Sequence, residues 1–401
     1  MPQQRSDQAA NGADSAAGQA EATGDAVASQ ASGRAIPDEE QDETITLSAV
    51  GDIMFHQTQL DSGYNEASGT YDFKPFFEEV KPIIESADLA VANFETTTGG
   101  TDEYAHMGYP RFNSPDESID ALRYAGFDVL STANNHSLDT GRNGVVRTLE
   151  QIHRRELDTV GTYAGKPESR VLLKTVKGMK LAFLSYTESM NGLESSLAPA
   201  ERDTMINVID KEKIKQDIAD AKALNADFVI AFMHWGVEYA REPSAAQREL
   251  ATWMAEAGVD IILGSHPHVI QPLETIEAGD GRRTYVAYSM GNFISNQRTE
   301  TLDNPYTEDG VIIRFVLRKD RKTGHAAIEK VEYVPTWVNR RQVTGHDGYE
   351  FTVVPARMNA GSDTRTDEEK SRMRRSYTDT TAQMGGESTD EQGIQALSQT
   401  R

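Results

Sequence analysis

The alternation of short apolar runs with helical segments is the feature that most restricts how this chain can fold. The runs are mainly apolar and only three to six residues long, which favours buried strands: 46–50, 89–92, 129–131, 228–233 and 261–263. Segments with helical periodicity lie between or after them: 73–86, 115–125, 141–155, 211–224 and 245–257. This order of elements predicts a layered α/β domain.

Two further stretches, 171–186 and 311–334, are β-rich and contain turn residues near their middle. They predict antiparallel strands added to the same domain, rather than a second domain. The whole folded region is expected to span residues 44–355.

The two ends of the chain have a different composition. Residues 1–43 contain few large aliphatic side chains, and residues 356–401 are similarly polar, so both are predicted to be disordered. The first would act as a linker and the second as an acidic and polar tail. The linker is either a native flexible tail or the remainder of a segment that followed an upstream anchor.

Charge and cysteine content exclude several functions. The formal net charge is −23 and the pI is about 4.8, which argues against nucleic acid as a partner because phosphates are bound by clustered Lys and Arg. There is no cysteine, so a metal could be held only by imidazole, carboxylate and amide groups.

Such groups follow five of the predicted strands. In chain order, these metal-type residues are Asp52, Glu95, Asn135, His234, His266 and His268. Open α/β sheets bind ligands at the carboxyl ends of their strands, so we expect these residues to converge. Each has a simpler explanation when it is taken alone, such as a helix N-cap for Asp52 or a turn at Asn134. The joint placement of four of the nine histidines after strands favours one polar site.

The residue types suit a pair of divalent ions, which would activate water and polarise a phosphoryl or carbonyl oxygen. Asp52 or Glu95 could bridge the two ions, and His136 is placed to act as a proton donor. His266 and His268 flank a proline, so we expect an extended segment in which both rings point the same way.

Other residues have weaker support. His56 could approach the site or belong to a loop, and the segment 288–293 could either close one wall of the site or form a plain turn. The remaining histidines have no comparable context: His106, His153, His325 and His346.

Six motifs together resemble the CapA-type poly-γ-glutamate capsule-synthesis proteins. They are Gly51-Asp52-Ile53-Met54, Asn93-Phe94-Glu95, Asn134-Asn135-His136-Ser137-Leu138-Asp139, His234-Trp235-Gly236-Val237-Glu238-Tyr239, Gly264-Ser265-His266-Pro267-His268 and Ser289-Met290-Gly291-Asn292-Phe293. The resemblance covers about residues 44–340 and implies a calcineurin-like metallophosphoesterase fold, a four-layer α/β/β/α sandwich.

The resemblance also implies roles for single residues. The six metal-type residues would bind one or two divalent ions, Mn, Fe or Zn, and His136 would be catalytic or contact the substrate. Substrate binding is expected from Asn134, Arg111 and Asn292. Two positions depart from the phosphoesterase pattern: Met54 stands where a histidine ligand is usual, and Glu95 stands where an aspartate is usual.

Three functions remain open. The first is synthesis or export of poly-γ-glutamate at the extracellular face of the membrane, alone or with a membrane synthase, from a protein carrying an N-terminal anchor. The second is a metal-dependent hydrolase of phosphoesters, and the third is a binding module with a vestigial site. The first function needs cations or a basic patch, because the predicted core carries a charge of about −15. Arg111, Arg123 and Arg142 could form that patch.

Overall fold

Two β-sheets lie face to face in the computed structural model, which describes residues 42–342, 348–356 and 364–385. The first sheet contains β1 (Glu43–Ile53), β4 (Leu89–Phe94), β5 (Val129–Ser131), β6 (Asp158–Val160), β13 (Asn292–Ile294), β14 (Asp309–Lys319), β15 (Ala326–Gln342) and β16 (Tyr349–Pro355). The second contains β7 (Leu172–Val176), β8 (Met179–Thr187), β9 (Phe228–His234), β10 (Ile261–Ser265), β11 (Leu273–Glu277) and β12 (Arg283–Ala287). A separate hairpin is formed by β2 (Tyr64–Asn65) and β3 (Thr70–Tyr71).

The helices connect these strands. They are α1 (Gln57–Gly63), α2 (Lys81–Ile84), α3 (Glu117–Ala125), α4 (Gly141–Arg154), α5 (Pro199–Met205), α6 (Lys211–Ala223), α7 (Ala245–Ala257), α8 (Thr299–Leu302) and α9 (Asp367–Gln383). Short 3-10 turns occur at Lys74–Phe77, Glu194–Ser196 and Pro305–Glu308. Among the described residues, no helix combines the length and apolar character that a membrane crossing requires.

Each sheet combines parallel and antiparallel strands. The first has the order β16-β15-β14-β1-β4-β5-β6, with β13 paired to β1, and the strands β1, β4, β5 and β6 run parallel. The second has the order β11-β12-β10-β9-β8-β7, in which only the edge strands β11 and β7 are antiparallel to their neighbours. The two predicted β-rich stretches are therefore the β7–β8 and β14–β15 hairpins, within the same domain.

Side-chain alternation along the strands produces four layers. On β1, Leu47 and Ala49 face the second sheet and pack with Phe232 and Leu263, whereas Val50 faces the other way. That outer face is covered by helices that include α3 and α4. The outer face of the second sheet is covered by α6 and α7. The predicted α/β/β/α sandwich is thus confirmed. Both sheets carry hydrophobic side chains on both faces, as sheets covered on both sides require.

Two sequence predictions are wrong in part. The segment 73–86 is not one helix but a 3-10 turn followed by the four-residue α2. Pro75 and Pro82 each lie in the first turn of one of these short helices, because proline is tolerated there but breaks the interior of a helix. The tail predicted over 356–401 contains the 17-residue helix α9. This helix contacts β14 and β15, and its Met373 packs with Trp337 and Val354. Residues 1–41 and 386–401, and also His346, lie outside the described residues.

Candidate metal centre

The predicted ligands converge where the parallel strands of both sheets end. Asp52 is the next-to-last residue of β1, Glu95 directly follows β4, and Asn135 and His136 follow β5. His234 ends β9 in the second sheet, and the loop after β10 carries His266 and His268. The site therefore lies at the carboxyl ends of both sheets, as expected for an α/β architecture.

The β-bulge at Asp52 requires a glycine at position 51. The register between β1 and β4 shifts between Val50 and Asp52, which marks a β-bulge. A Cβ atom at Gly51 would lie 2.0 Å from the carbonyl oxygen of Gly291, so no other residue fits there. The bulge brings the backbone N–H of Asp52 to the same carbonyl, at 2.9 Å.

Asn93 joins the two buried carboxyl groups. Its Nδ2 donates to Asp52 Oδ1 at 2.8 Å and to Glu95 Oε2 at 3.2 Å. Both carboxyl groups are fully buried. Burial, followed by the neighbouring Asp52 carboxyl, raises the pKa of Glu95 well above its usual value.

Two groups of three ligands share Glu95. In the first group Glu95 lies with Asp52 and His234, and in the second it lies with His266 and His268. Within each group, the three candidate ligand atoms lie within 4.8 Å of one another. A carboxylate common to both groups is the arrangement that a pair of divalent ions needs.

His234 lies between the two sheets, with both ring nitrogens near polar atoms. Its Nε2 is 3.0 Å from Asn135 Oδ1, and its Nδ1 is 2.9 Å from Ser265 Oγ. Burial and then the nearby His266 hold the pKa of His234 well below its usual value, so the ring is neutral. Neutral imidazole is the form that binds metal.

The loop of His266 and His268 is not extended, contrary to the sequence prediction. Both residues have positive φ, 94° and 58°, and the backbone bends at residues 266–269. The two rings still face a common region, with centroids 5.9 Å apart. Burial, with the charge of His268 second, lowers the pKa of His266 to about 4, and its Nδ1 is buried with no hydrogen-bond partner.

Asn292 orients His268 from β13. Its Oδ1 is 3.1 Å from His268 Nδ1, and that nitrogen is also 3.0 Å from Asp52 Oδ2. The family resemblance implies that Asn292 and Asn134 bind substrate, and the structure buries both side chains fully. Asn134 donates to the carbonyl of Phe94 at 2.9 Å and accepts from the backbone of His136 at 3.1 Å.

His136 is held by a carboxylate three residues later. Its Nδ1 is 2.7 Å from Asp139 Oδ2, which also accepts a hydrogen bond from the backbone N–H of Phe112 at 2.6 Å. The Phe112 ring packs edge-on against the imidazole at 4.7 Å. With Nδ1 engaged, the other ring nitrogen is the one that could exchange a proton with a bound molecule.

His56 approaches the site, one of the two options left open by the sequence. Its Nδ1 accepts from the backbone of Asn296 at 3.2 Å, and its ring lies 5.1 Å from that of Phe112. Burial, followed by the charge of His268, lowers its pKa to about 3.

The three arginines proposed as a basic patch have different surroundings. Arg142 is paired with Glu201 at 2.6 Å. Arg123 lies in a surface depression of about 590 Å³ whose lining includes Asp72, Glu117 and Asp120. These carboxylates offset the positive charge, so neither residue supplies a basic surface. Arg111 is exposed.

Several residues that shape the site escaped the sequence analysis. Asn93, Asp139 and Ser265 each lie inside a recognised motif, yet nothing in their spacing shows which polar atom they contact.

Only the chemical types of the ligands could be predicted from the sequence, and these types fit a cation. The set consists of nitrogen and oxygen donors, which suits Mn, Fe or Zn, and a buried Glu95 Oε1 has no hydrogen-bond partner.

Comparison with known proteins identifies the family. A model described as bacterial capsule synthesis protein PGA_cap matches residues 46–297. The chain belongs to this family. Within it, the chain is 31% identical over 282 residues to the PGA biosynthesis protein CapA of Bacillus subtilis (strain 168), covering 70% of this chain and 69% of that protein. It is 30% identical over 284 residues to the capsule biosynthesis protein CapA of Bacillus anthracis, covering 69% of this chain and 65% of that protein.

Solved structures similar to this PGA_cap chain include a phosphoesterase and a nucleotidase. The calcineurin-like phosphoesterase YfkN of Bacillus subtilis has a TM-score of 0.43 and 15% identity, covering 85% of this chain and 99% of that chain. The NAD nucleotidase NadN of Haemophilus influenzae has a TM-score of 0.45 and 12% identity, covering 89% of this chain and 59% of that chain.

Proposed function

We propose that this PGA_cap protein takes part in making or exporting poly-γ-glutamate at the extracellular face of the cell membrane, through a site that holds one or two divalent ions. Family membership supports the capsule role. The observation that carries the metal site is the sharing of Glu95 between two groups of three candidate ligands, all buried except the half-buried His266.

The ions would serve a polyanionic ligand in two ways. Divalent cations supply positive charge and Lewis-acid polarisation of oxygen. Positive charge matters because the site contains the buried carboxyl groups of Asp52 and Glu95, and neither Arg123 nor Arg142 offers an unpaired basic group. The protein would supply the ligands Asp52, Glu95, Asn135, His234, His266 and His268, and His136 to contact the polymer or transfer a proton.

Elemental analysis of the purified protein tests the metal site. We expect one or two Mn, Fe or Zn ions per chain in the wild type, and loss of metal in the His266→Ala, His268→Ala double variant. Replacement of Asn143, an exposed amide on α4, by Ala is the control and should keep the metal. Absence of metal from the wild type, even after incubation with Mn²⁺, Fe²⁺ and Zn²⁺, would refute this part of the proposal.

Complementation tests the capsule role. The chain, fused to an N-terminal membrane anchor, would be expressed in a poly-γ-glutamate producer that lacks its own CapA. We expect the wild type to restore secreted polymer and Glu95→Gln to fail at equal protein level. Failure of the wild type, despite correct folding and export, would count against the role. Co-purification with the membrane synthase would test that partner separately.

A second candidate is hydrolysis of phosphoesters at the same site. It is favoured by the pairing of His136 with Asp139 at 2.7 Å, which orients the ring as a proton-transfer group. It predicts turnover of an aryl phosphate with Mn²⁺ that His136→Ala abolishes while the metal content stays the same. Met54 is buried and stands where phosphoesterases usually have a histidine ligand, so we rank phosphoester hydrolysis second.

A further inference from the structure

Three residues other than glycine at or beside the candidate metal centre have a left-handed backbone conformation. Among the described residues, eight other than glycine have positive φ. Four of them lie at a helix end or hairpin turn, where such a conformation is common: Glu156, Lys177, Asn225 and Asp303. His266 and His268 are candidate ligands. Asn191 lies in a turn after β8, and the remaining residue is Tyr239, with φ of 65°, in the loop after His234.

Left-handed backbone is a genuine outlier for a bulky aromatic residue, and such strain persists only where surrounding contacts impose it. For Tyr239 the contact is with the ligand loop itself. Its backbone N–H donates to the carbonyl of Pro267 at 2.7 Å, and Pro267 lies between the two histidines. This hydrogen bond ties the position of Tyr239 to that of His266 and His268.

The side chain of Tyr239 lies at the mouth of the site. Its ring centroid is 6.2 Å from that of His268, and the residue is 36% exposed. The phenol is therefore close enough to contact a molecule bound beside His268.

A chain of amides determines how the phenol is hydrogen-bonded. Asn292 Nδ2 faces the carbonyls of His268 and Thr307, which can only accept, so this atom is the amide nitrogen. It also donates to Gln297 Oε1 at 3.0 Å. Gln297 must then present its Nε2 to the hydroxyl of Tyr239, at 3.4 Å. Because the phenol oxygen accepts from Gln297, its hydrogen is free to donate elsewhere.

We propose that Tyr239 is a substrate-binding residue whose phenol donates a hydrogen bond to an oxyanion held at the metal centre. This inference rests on the proposed function, since it needs ions in the site. The oxyanion could be a phosphate or a carboxylate of a γ-glutamyl chain, because both present acceptor oxygens to a phenol. In the free protein the exposed carboxylate of Glu238 lies close enough to Tyr239 to act as the alternative acceptor.

The test compares wild type with Tyr239→Phe, which keeps the ring and removes only the hydroxyl. Metal content is measured by elemental analysis after loading with Mn²⁺. Binding of inorganic phosphate and of γ-glutamylglutamate is then measured by isothermal titration calorimetry. The control is Tyr64→Phe, which removes an exposed phenol from the β2–β3 hairpin.

We expect Tyr239→Phe to retain the metal and to bind its oxyanion at least about tenfold more weakly, since hydrogen bonds to charged groups are the strong ones. Tyr64→Phe should match the wild type. Weakening for phosphate alone would assign a phosphoester, and weakening for the dipeptide alone would assign a γ-glutamyl carboxylate.

Two results would overturn the assignment while leaving the metal site intact. One is equal affinity of Tyr239→Phe and wild type for both probes. The other is a metal-loaded wild type that binds neither probe. A wild type without metal would instead refute the proposed function, and the role of Tyr239 with it.

Discussion

The side-chain amide of Asn292 fixes which nitrogen of His268 carries the proton. Asn292 Nδ2 faces two backbone carbonyls, so Oδ1 is the atom that lies 3.1 Å from His268 Nδ1. An amide oxygen only accepts, so Nδ1 must be the protonated nitrogen. His268 Nε2 is then left with its lone pair, 3.8 Å from Glu95 Oε1. A metal ligand oriented by a second residue in this way gains affinity.

Replacing Asn292 by Ala should therefore lower metal affinity by about 10- to 100-fold, because His268 loses the partner that sets its tautomer. Competition of the loaded protein with a chelator would measure this. The exposed Asn143→Ala is the matched control and should behave as wild type. Equal affinity of both variants would mean that Asp52 alone is enough to orient His268.

Glu95 should contribute to both ions, whereas His234 should contribute to one. We expect Glu95→Gln to lose all bound metal and His234→Gln to retain a single ion, if the wild type holds two, because only Glu95 belongs to both groups of ligands. Elemental analysis after Mn²⁺ loading gives the counts. Glu242→Gln, at an exposed carboxylate, is the control. Full occupancy in Glu95→Gln would contradict the shared-ligand arrangement.

The positions of the ligands along the sequence could be predicted because each follows a strand. Strands such as β9 and β10 are recognisable from unbroken apolar composition, and parallel strands bring their carboxyl ends to one edge. What each side chain contacts could not be predicted. Asn134 and Asn292 have polar side chains of a kind that can bind substrate, but both are fully buried and donate hydrogen bonds to backbone carbonyls of the protein.

The backbone conformation of the loop that carries His266 and His268 could not be predicted from the sequence either. Proline between His266 and His268 favours an extended backbone at the residue before it. Tertiary contacts override that preference: the backbone N–H of His266 lies 3.3 Å from Asp52 Oδ2, and the carbonyl of Pro267 accepts from Tyr239. Residues at the ends of two other strands, β1 and β9, impose this loop shape, so it cannot be predicted from the local sequence.

Two partly buried histidines, His56 and His266, should lower the stability of the metal-free protein as the pH falls. The pKa of His56 is lowered to about 3 by burial and by the charge of His268, and that of His266 is lowered to about 4. Both values are below that of an unfolded histidine, about 6.5. Between these limits these two histidines bind more protons in the unfolded chain than in the folded protein, so their contribution to the free energy of unfolding rises with pH and levels off above about 6.5.

His56→Gln should reduce this slope, by up to about 1.4 kcal/mol per pH unit, because one titrating group is removed. Glutamine retains an acceptor for the backbone N–H of Asn296. Urea unfolding of chelator-treated protein at several pH values from 4.5 to 8 would measure the slopes. Above pH 7 the curves of variant and wild type should run parallel. Equal slopes below pH 6 would show that His56 is not buried in its neutral form.

Helix α9 was missed because its buried side is mostly polar. The buried positions are Met373, Ser376 and Thr380, which are spaced three and four residues apart as a helix requires. Only one of them is hydrophobic, so the segment carries no apolar periodicity. The helix is nevertheless well specified: Thr366 and Glu369 form a capping box at its start, and Arg375 pairs with Asp309 at 3.0 Å.

Met373 should hold this helix against the first sheet. It is 2% exposed and packs in a cluster with Trp337, Val354 and Ala356. We expect Met373→Ala to lower the free energy of unfolding by about 2–5 kcal/mol, the usual range for truncating a buried methionine. Ser371→Ala, on the exposed side of the same helix, should change it by less than about 0.5 kcal/mol. Urea denaturation would measure both variants, and equal stability of the two would mean that α9 is not part of the folded core in solution.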